Sequence, residues 1–479
     1  MLERWADRLW SPWMLGLFLL VGLWCSLKSG FFQLFGAGTW LKGSLGTLFH
    51  KQKKAAAGLT QFQALSTALA STIGTGSIAG VATAIFFGGP GAVFWMWVSA
   101  LLGLMTSFVE KTLAVKYRHR APGGGWEGGP MDYMERALGW RWGARWFSLW
   151  CVPAALAGGG MVQSNSIAAA LHAALGWEPL AVGVATALCT GVVILGGIGR
   201  VGRVSEKLVP AMAVLFLGAG IAVILARGEA VLPALGQIVT CALTPRAALG
   251  GASGYTVFAA LRYGVARGVF TNEAGVGSSA MAHAAADADS PAQEGYWGMF
   301  EVFFATLVVC TVTALAILTS GVYDPAAALL ALEQGTVTGE MTGAPLSAAA
   351  FSSVFGPAGG LIVAVCLLLF AFTSLLGWSY YGERGLSHLT GENRLRKPFR
   401  LVFLAAVVLG SVGDVRAVWA LSDLCDGLMA LPNLLAVALL APRVLRELSE
   451  LPSSGHHGKK ANARPLLLQR KKGRSSSGR

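Results

Sequence analysis

Two short polar, glycine-rich stretches interrupt otherwise apolar segments of the sequence. The first, STIGTGS, covers residues 71–77, and the second, NEAGVGSS, covers residues 272–279. Where a helix breaks inside a membrane, the amide groups at one new helix end attract an anion. Free carbonyl groups at the other end coordinate a small hard cation such as sodium. Both stretches therefore have the chemistry to bind a carboxylate and a cation.

The residue types of the first stretch suit this chemistry. Gly74 and Gly76 allow the backbone to leave helical angles and let a substrate touch it. Hydroxyl groups are supplied by Ser71, Thr72, Thr75 and Ser77. Small residues also allow close helix packing, which is the simpler interpretation of a single glycine-rich segment. Two matched interruptions in corresponding halves of a chain favour a transporter site instead.

The elements that carry these stretches are predicted to be membrane helices. Of the 479 residues, 54% are hydrophobic and only 13% are charged, and the mean hydropathy is +0.59. Soluble domains carry about 25% charged residues, and a spanning helix needs about 20 apolar ones. We predict an all-α integral membrane protein with about eleven spans. The apolar windows are 13–27, 64–87, 92–115, 146–172, 180–197, 207–226, 254–282, 298–320, 357–381, 400–412 and 418–441.

The net charge of +13 is distributed as a membrane topology signal. Lys and Arg gather in alternate connecting segments, whereas the loops 173–179 and 321–350 contain none. This positive-inside pattern favours topology and lipid contact over nucleic-acid binding. It predicts a membrane domain over 1–449 and a basic, disordered tail over 450–479, with the C-terminus in the cytoplasm of a bacterial cell.

Four long segments resemble the alanine or glycine:cation symporter family. They are ALASTIGTGSIAGVATAIFFGGPGAVFWMWV, GVFTNEAGVGSSAMAHAAAD, VVCTVTALAILTSG and FTSLLGWSYYGER. The resemblance covers roughly residues 60–440. It implies a LeuT-like fold, in which ten core helices form a five-plus-five inverted repeat, with one extra N-terminal helix. It also implies sodium-coupled symport of a small neutral amino acid, alanine or glycine.

The resemblance also implies which residues form the site. Substrate binding falls to Thr72, Gly74, Thr75, Gly76, Ser77 and Gln163. Apart from the resemblance, Trp378 lies four residues beyond Ser374 on the same helical face and is expected to cap a small apolar side chain. Sodium binding falls to the carbonyl groups of Ala70 and Ile73 and the hydroxyl groups of Thr373 and Ser374. The alternative for the two hydroxyls is a bond to a carbonyl one turn earlier. The chain departs from the family's usual residues at Ser77, Ala305 and Ser374, which bears on substrate and coupling rather than on fold.

Other polar residues in the apolar windows have structural interpretations. Asn165 either contacts substrate or links helices, and Glu273 is expected to pair with Arg267 or to cap the second break. Glu110 and Lys111 are expected to snorkel at the end of a span. Because the candidate pocket residues include no charged side chain, we expect a small, zwitterionic substrate with an uncharged side chain.

Four other functions compete with sodium symport. A membrane enzyme would need a nucleophile, base or metal cluster, but the seven histidines and seven cysteines have no ligand spacing. A channel would need repeated filter sequences or pore-lining charge rings. A sensor or scaffold that has lost transport and a proton-coupled transporter both stay open at this point. The expected partners are a small neutral amino acid, a sodium ion and the lipid bilayer, and the oligomeric state is not determined.

Overall fold

The computed structural model describes residues 2–48, 58–121, 124–244, 256–288 and 290–449, and helices dominate it. The predicted tail at 450–479 lies outside the described residues.

The N-terminal half contains helices α1 (Leu2–Leu9), α2 (Pro12–Lys28), α3 (Phe32–Phe35), α4 (Ala37–Gly43), α5 (Leu45–Leu48), α6 (Gln61–Thr72), α7 (Ala79–Gly88), α8 (Gly91–Lys116), α9 (Pro130–Leu138), α10 (Arg141–Ala154), α11 (Gln163–Leu175), α12 (Pro179–Ile194), α13 (Ile198–Ala226) and α14 (Val231–Leu243).

The C-terminal half contains helices α15 (Val257–Asn272), α16 (Ala280–Ala284), α17 (Pro291–Val302), α18 (Thr311–Thr319), α19 (Pro325–Gln334), α20 (Gly343–Phe355), α21 (Pro357–Thr390), α22 (Arg396–Val412) and α23 (Val415–Ser449). Short 3₁₀ turns cover Thr75–Ser77, Gly228–Ala230, Gly339–Met341 and Asn393–Leu395. Two π-helical segments, Ala155–Val162 and Phe303–Cys310, join α10 to α11 and α17 to α18. Strands β1 (His119–Arg120) and β2 (Trp126–Glu127) pair antiparallel in the loop after α8.

Within the described residues, six helical stretches are long and apolar enough to cross a membrane. They are Leu2–Lys28, Gly91–Lys116, Ile198–Ala226, Pro291–Thr319, Pro357–Thr390 and Ala417–Arg446. Each overlaps one of the apolar windows in the sequence. Shorter apolar helices such as Pro179–Ile194 fall in other windows, so the total of about eleven spans stays a prediction. Large apolar side chains on α12, α13 and α14, including Leu188, Val214 and Leu232, are exposed and suit contact with lipid chains.

The first glycine-rich stretch breaks a helix, as the sequence predicted. Thr60 and Gln63 form a capping box that starts α6, and the helix ends at Thr72. Gly74 then has φ −114° and ψ −153°, an extended conformation, before the 3₁₀ turn leads into α7. An ideal Cβ on Gly74 would lie 2.7 Å from Ser374 Oγ. Glycine is therefore required here by a close approach rather than by its dihedral angles.

The second stretch breaks a helix by a different device. Helix α15 ends at Asn272, whose side-chain oxygen accepts a hydrogen bond from the Ala274 amide. Glu273 has φ +52°, and Gly275 and Gly277 have φ +92° and +89°. These left-handed conformations suit glycine and turn the chain sharply before α16. Both predicted interruptions are thus non-helical in the structure.

A charged cluster ties the loop after α8 to the ends of α21 and α22. Glu127 accepts hydrogen bonds from Arg384 and, at 2.8 and 2.9 Å, from Arg396, while Arg400 pairs with Glu383 at 2.6 Å. Burial alone would raise the pKa of Glu127, but the hydrogen bond from Arg396 and the charge of Arg384 hold that pKa below its ordinary value. These ion pairs hold the helix ends together on one side of the protein.

Candidate functional site

The two helix breaks line one small internal cavity of about 30 Å³, which is room for about two water molecules. Its lining residues are Trp10, Ser71, Thr72, Gly74, Gly76, Gly158, Gln163, Val269, Phe270, Glu273, Val276, Trp378 and Asp426. The cavity therefore joins α6 and its break to the second break, to the π-helical segment Ala155–Val162, and to α21 and α23.

The first break presents unpaired amide donors beside this cavity. The backbone N–H groups of Gly74, Ser77 and Ile78 bond to neighbouring carbonyls. Among the described residues, no hydrogen bond occupies the amides of Thr75 and Gly76, which open the turn that leads into α7. Unpaired amides at a helix start carry a partial positive charge that attracts carboxylates. This side of the cavity can hold an anionic group.

Other parts of the cavity lining carry hydrogen-bond acceptors. Gln163 donates from Nε2 to the Gly158 carbonyl at 3.2 Å, which leaves its Oε1 buried and unpartnered among the described residues. Asp426 accepts from Ser422 at 3.2 Å through Oδ2, and its buried Oδ1 has no partner within the same part of the chain. Glu273, which lines the cavity as well, accepts from the Ser278 hydroxyl. A cationic group with several N–H donors would satisfy these oxygens.

The cavity therefore differs from the uncharged pocket that the sequence suggested. Neither Glu273 nor Asp426 was among the candidate pocket residues, yet both carboxylates line the cavity. Of the two roles expected for Glu273, pairing with Arg267 is not found among the described residues: the Arg267 guanidinium lies over the rings of Phe270 and Trp419, 5.8 and 5.4 Å from their centroids. The sequence could have pointed to Asp426, because a carboxylate inside the apolar window 418–441 is costly and therefore a candidate functional residue.

Three of the four residues assigned to sodium lie together. Ser374 Oγ is 3.0 Å from the Ala70 carbonyl oxygen, and Thr373 Oγ1 is 3.3 Å from it. Both hydroxyls also contact the Phe370 carbonyl at 3.0 Å, so the bond to a carbonyl one turn earlier is present. Ile73 is buried at the end of α6. Ala70, Thr373 and Ser374 thus converge, and their oxygens are neutral, of the kind that binds sodium reversibly.

The remaining predicted residues divide into two groups. Thr72, Gly74, Gly76, Gln163 and Trp378 line the cavity, whereas Thr75 and Ser77 lie outside its lining, with buried hydroxyls that have no partner among the described residues. Trp378 packs against the π-helical segment, where a Cβ on Gly159 would come within 2.2 Å of its Cβ. Asn165 donates to the carbonyls of Gly410 and Gly413 at 3.0 and 3.1 Å, so it links α11 to the end of α22.

A buried charged network adjoins the first break, and it corrects one expectation from the sequence. Glu110 and Lys111 do not snorkel; both side chains are fully buried in α8, with Nζ 3.4 Å from Glu110 and 3.6 Å from Glu301. Glu301 in turn accepts a hydrogen bond of 2.6 Å from the Thr72 hydroxyl. Lys111 faces inward because α17 packs along α8 and supplies a carboxylate, which the sequence around Lys111 does not reveal.

The network continues through a histidine that the sequence analysis left without a role. His283 Nδ1 lies 2.8 Å from Glu294 Oε1, and its Nε2 lies 3.2 Å from Glu301 Oε2. All three side chains are fully buried. Asn433 bridges Glu110 to the carbonyl of Gly275 in the second break. One polar network thus contacts both breaks, and no group of metal-binding spacing occurs among the described residues.

Comparison with known proteins gives a consistent assignment. The model of the sodium:alanine symporter family matches residues 1–464. The chain is 40% identical to the sodium/alanine symporter AgcS of Methanococcus maripaludis, over 91% of this chain and 94% of that protein. It is 36% identical to the probable sodium/glutamine symporter GlnT of Bacillus subtilis, over 95% of this chain and 90% of that protein.

A solved structure supports the fold. The structure of MhsT in complex with L-phenylalanine aligns with a TM-score of 0.51 at 13% identity, covering 82% of this chain and 99% of that chain. This likeness confirms the LeuT-like helical fold expected from the sequence.

Proposed function

The chain belongs to the sodium:alanine symporter family, whose members are sodium-coupled amino acid transporters, and we propose that it imports a small neutral amino acid, alanine or glycine, with sodium. The observation that carries this proposal is the polarity of the cavity. The amides of Thr75 and Gly76 have no acceptor among the described residues, and Gly76 lines the cavity. The unpartnered oxygens of Gln163 and Asp426 lie on other elements of the same cavity. An amino acid zwitterion carries the two matching groups, a carboxylate and an ammonium, on the same carbon atom.

In this proposal the substrate carboxylate binds the amides of the first break and its ammonium binds Gln163 and Asp426. Glu273 adds negative charge, and Trp378 covers the side chain. Because the cavity is small and already holds two carboxylates, a glutamate side chain is excluded by repulsion and a lysine side chain by size. Substrate entry requires the lining to open, as alternating access between the two membrane sides demands. The alternating basic segments of the sequence support a cytoplasmic C-terminus.

Uptake into proteoliposomes tests the function directly. We expect labelled alanine to accumulate when an inward sodium gradient is imposed and not when a proton gradient is imposed alone. Unlabelled glycine and serine should compete, whereas lysine and glutamate should not. Unlabelled glutamine is also tested, because one relative is named a probable sodium/glutamine symporter. If glutamine competes as well as glycine does, the proposal of a small substrate is contradicted. A chain that binds but does not accumulate alanine would be a sensor.

Replacing Asp426 by asparagine should raise the alanine KM by about tenfold or more. A hydrogen bond to a charged group contributes about 1.5–3 kcal/mol, and about 1.4 kcal/mol corresponds to tenfold in affinity. The sodium concentration for half-maximal uptake should change by a smaller factor than the alanine KM. Asp414→Asn is the matched control, because Asp414 is exposed and caps the Ala417 amide. Equal KM values for wild type and Asp426→Asn would remove Asp426 from the substrate site.

The proposed sodium site predicts a second outcome. The double variant Thr373→Ala and Ser374→Ala should raise the sodium concentration for half-maximal uptake by roughly tenfold, because each hydroxyl replaces a water around the ion. Expression should be largely retained. Ser379→Ala is the control, since its hydroxyl bonds only the Leu376 carbonyl on the same helix. An unchanged sodium dependence in the double variant would mean that the two hydroxyls serve only the backbone.

A further inference from the structure

We propose that His283, Glu294 and Glu301 form a proton-binding site whose occupancy is transmitted to the first helix break through Thr72. The three side chains are fully buried, with contacts of 2.8 Å from His283 Nδ1 to Glu294 and 3.2 Å from His283 Nε2 to Glu301. The proposed proton site does not depend on which amino acid is transported. Alanine uptake is therefore only one of the two measurements that test it.

Counting protons carries the proposal. A neutral imidazole has one N–H donor and one bare nitrogen acceptor, and an ionised carboxylate only accepts. With neutral His283 and two carboxylates, one of the two contacts would set a nitrogen lone pair against an oxygen lone pair. Both contacts become hydrogen bonds only when the triad holds one more proton, on the imidazole or on a carboxyl group. The geometry therefore fits the triad in its protonated state.

Charge balance in the surroundings supports a retained proton. The charged and titratable groups on the elements around His283 are these: Glu110, Lys111 and Lys116 on α8, Arg118 just after it, Glu294 and Glu301 on α17, Glu127 on β2, Glu383, Arg384 and His388 on α21, and Glu273 in the second break. The charged groups on β2 and α21 already have partners: Glu127 pairs with Arg384, and Glu383 pairs with Arg400. Within the fully buried group, three carboxylates face one lysine, so an added proton reduces an excess of buried negative charge.

Thr72 supplies the connection to the break. Its hydroxyl oxygen lies 2.6 Å from both the Ala68 carbonyl and Glu301 Oε1, yet a hydroxyl has one hydrogen. With Glu301 ionised, the two acceptors compete for that hydrogen. When the triad gains its proton, Oε1 still carries no hydrogen, but the added positive charge weakens Glu301 as an acceptor, so the Thr72 hydrogen favours the Ala68 carbonyl. The position of one proton thus decides how the last turn of α6 is held next to the cavity.

The test compares pH profiles of alanine uptake at saturating sodium. In wild type, the alanine KM should change by about three- to tenfold between about pH 5.5 and 8.5, since one linked proton changes affinity by at most tenfold per pH unit. His283→Gln can donate and accept but cannot be charged, so its KM should be nearly flat. His388→Gln is the matched control, because His388 also contacts a carboxylate, Glu135, at 3.6 Å. It should keep the wild-type profile.

Three results would overturn the proposal: a wild-type profile retained in His283→Gln, the same flattening in His388→Gln, or a flat profile in wild type. Glu294→Gln is the second variant should His283→Gln fail to fold, and it should flatten the profile too. Infrared difference spectra of substrate-free protein between the two pH values supply a readout that does not depend on transport. Bands of the titrating triad should be present in wild type and missing in the variants. If alanine is not transported at all, these spectra still decide the proton site.

Discussion

Lys111→Met should be among the most destabilising single substitutions in this protein. The fully buried ammonium lies 3.4 Å from Glu110 and 3.6 Å from Glu301. Removing one partner of a buried ion pair leaves an uncompensated charge and costs roughly 3–5 kcal/mol. The apparent melting temperature in detergent should fall by roughly 5 °C or more, and expression should drop. Thermal unfolding of the purified protein, followed by tryptophan fluorescence, measures this.

Two comparisons make the result specific. Lys207→Met removes an exposed lysine from α13 and should leave the melting temperature within about 1 °C, because surface substitutions change stability little. Combining Lys111→Met with Glu301→Gln should recover part of the loss, since it removes one of the two stranded carboxylates. If Lys111→Met is as stable as Lys207→Met, the ammonium is not the group that holds α8 and α17 together.

The second large effect is expected at the first break. Gly74→Ala should reduce alanine uptake at least tenfold while the protein still expresses and folds. The added Cβ would lie 2.7 Å from Ser374 Oγ and 3.3 Å from Gln163 Oε1, so it disturbs the proposed sodium and substrate residues together. The extended angles of Gly74 are open to alanine, and the loss should therefore be one of transport rather than of backbone geometry.

Gly80→Ala is the matched control on the following half-helix. A Cβ there meets only Arg267 Cδ at 3.9 Å, an ordinary van der Waals contact, and alanine favours a helix over glycine. Uptake should be unchanged and stability equal or slightly higher. Equal uptake by Gly74→Ala and wild type would show that Ser374 and Gln163 can move aside, and the proposed site would then need to lie elsewhere.

Much of the architecture could be predicted because its causes are local in sequence. The apolar windows, the alternating basic segments and the two glycine-rich interruptions each act within one stretch of chain. Gly275 and Gly277 do adopt left-handed angles, and the extended Gly74 does separate two helices. A helix break needs residues that tolerate non-helical backbone angles. Those residues can be recognised in the sequence without knowing which other helices pack beside them.

The tertiary structure decided which buried polar side chains face one another. Lys111 and Glu301 lie on different helices, as do Gln163 and Asp426, and sequence spacing carries no information about which of these side chains meet. For this reason Glu110 and Lys111 suggested a snorkelling pair, and the carboxylate of Asp426 went unassigned beside the cavity. A charge in an apolar window shows that a partner must exist, because an unpaired charge there is too costly. Only the packing of α8 on α17, and of α23 beside the segment Ala155–Val162, shows which groups those charges meet.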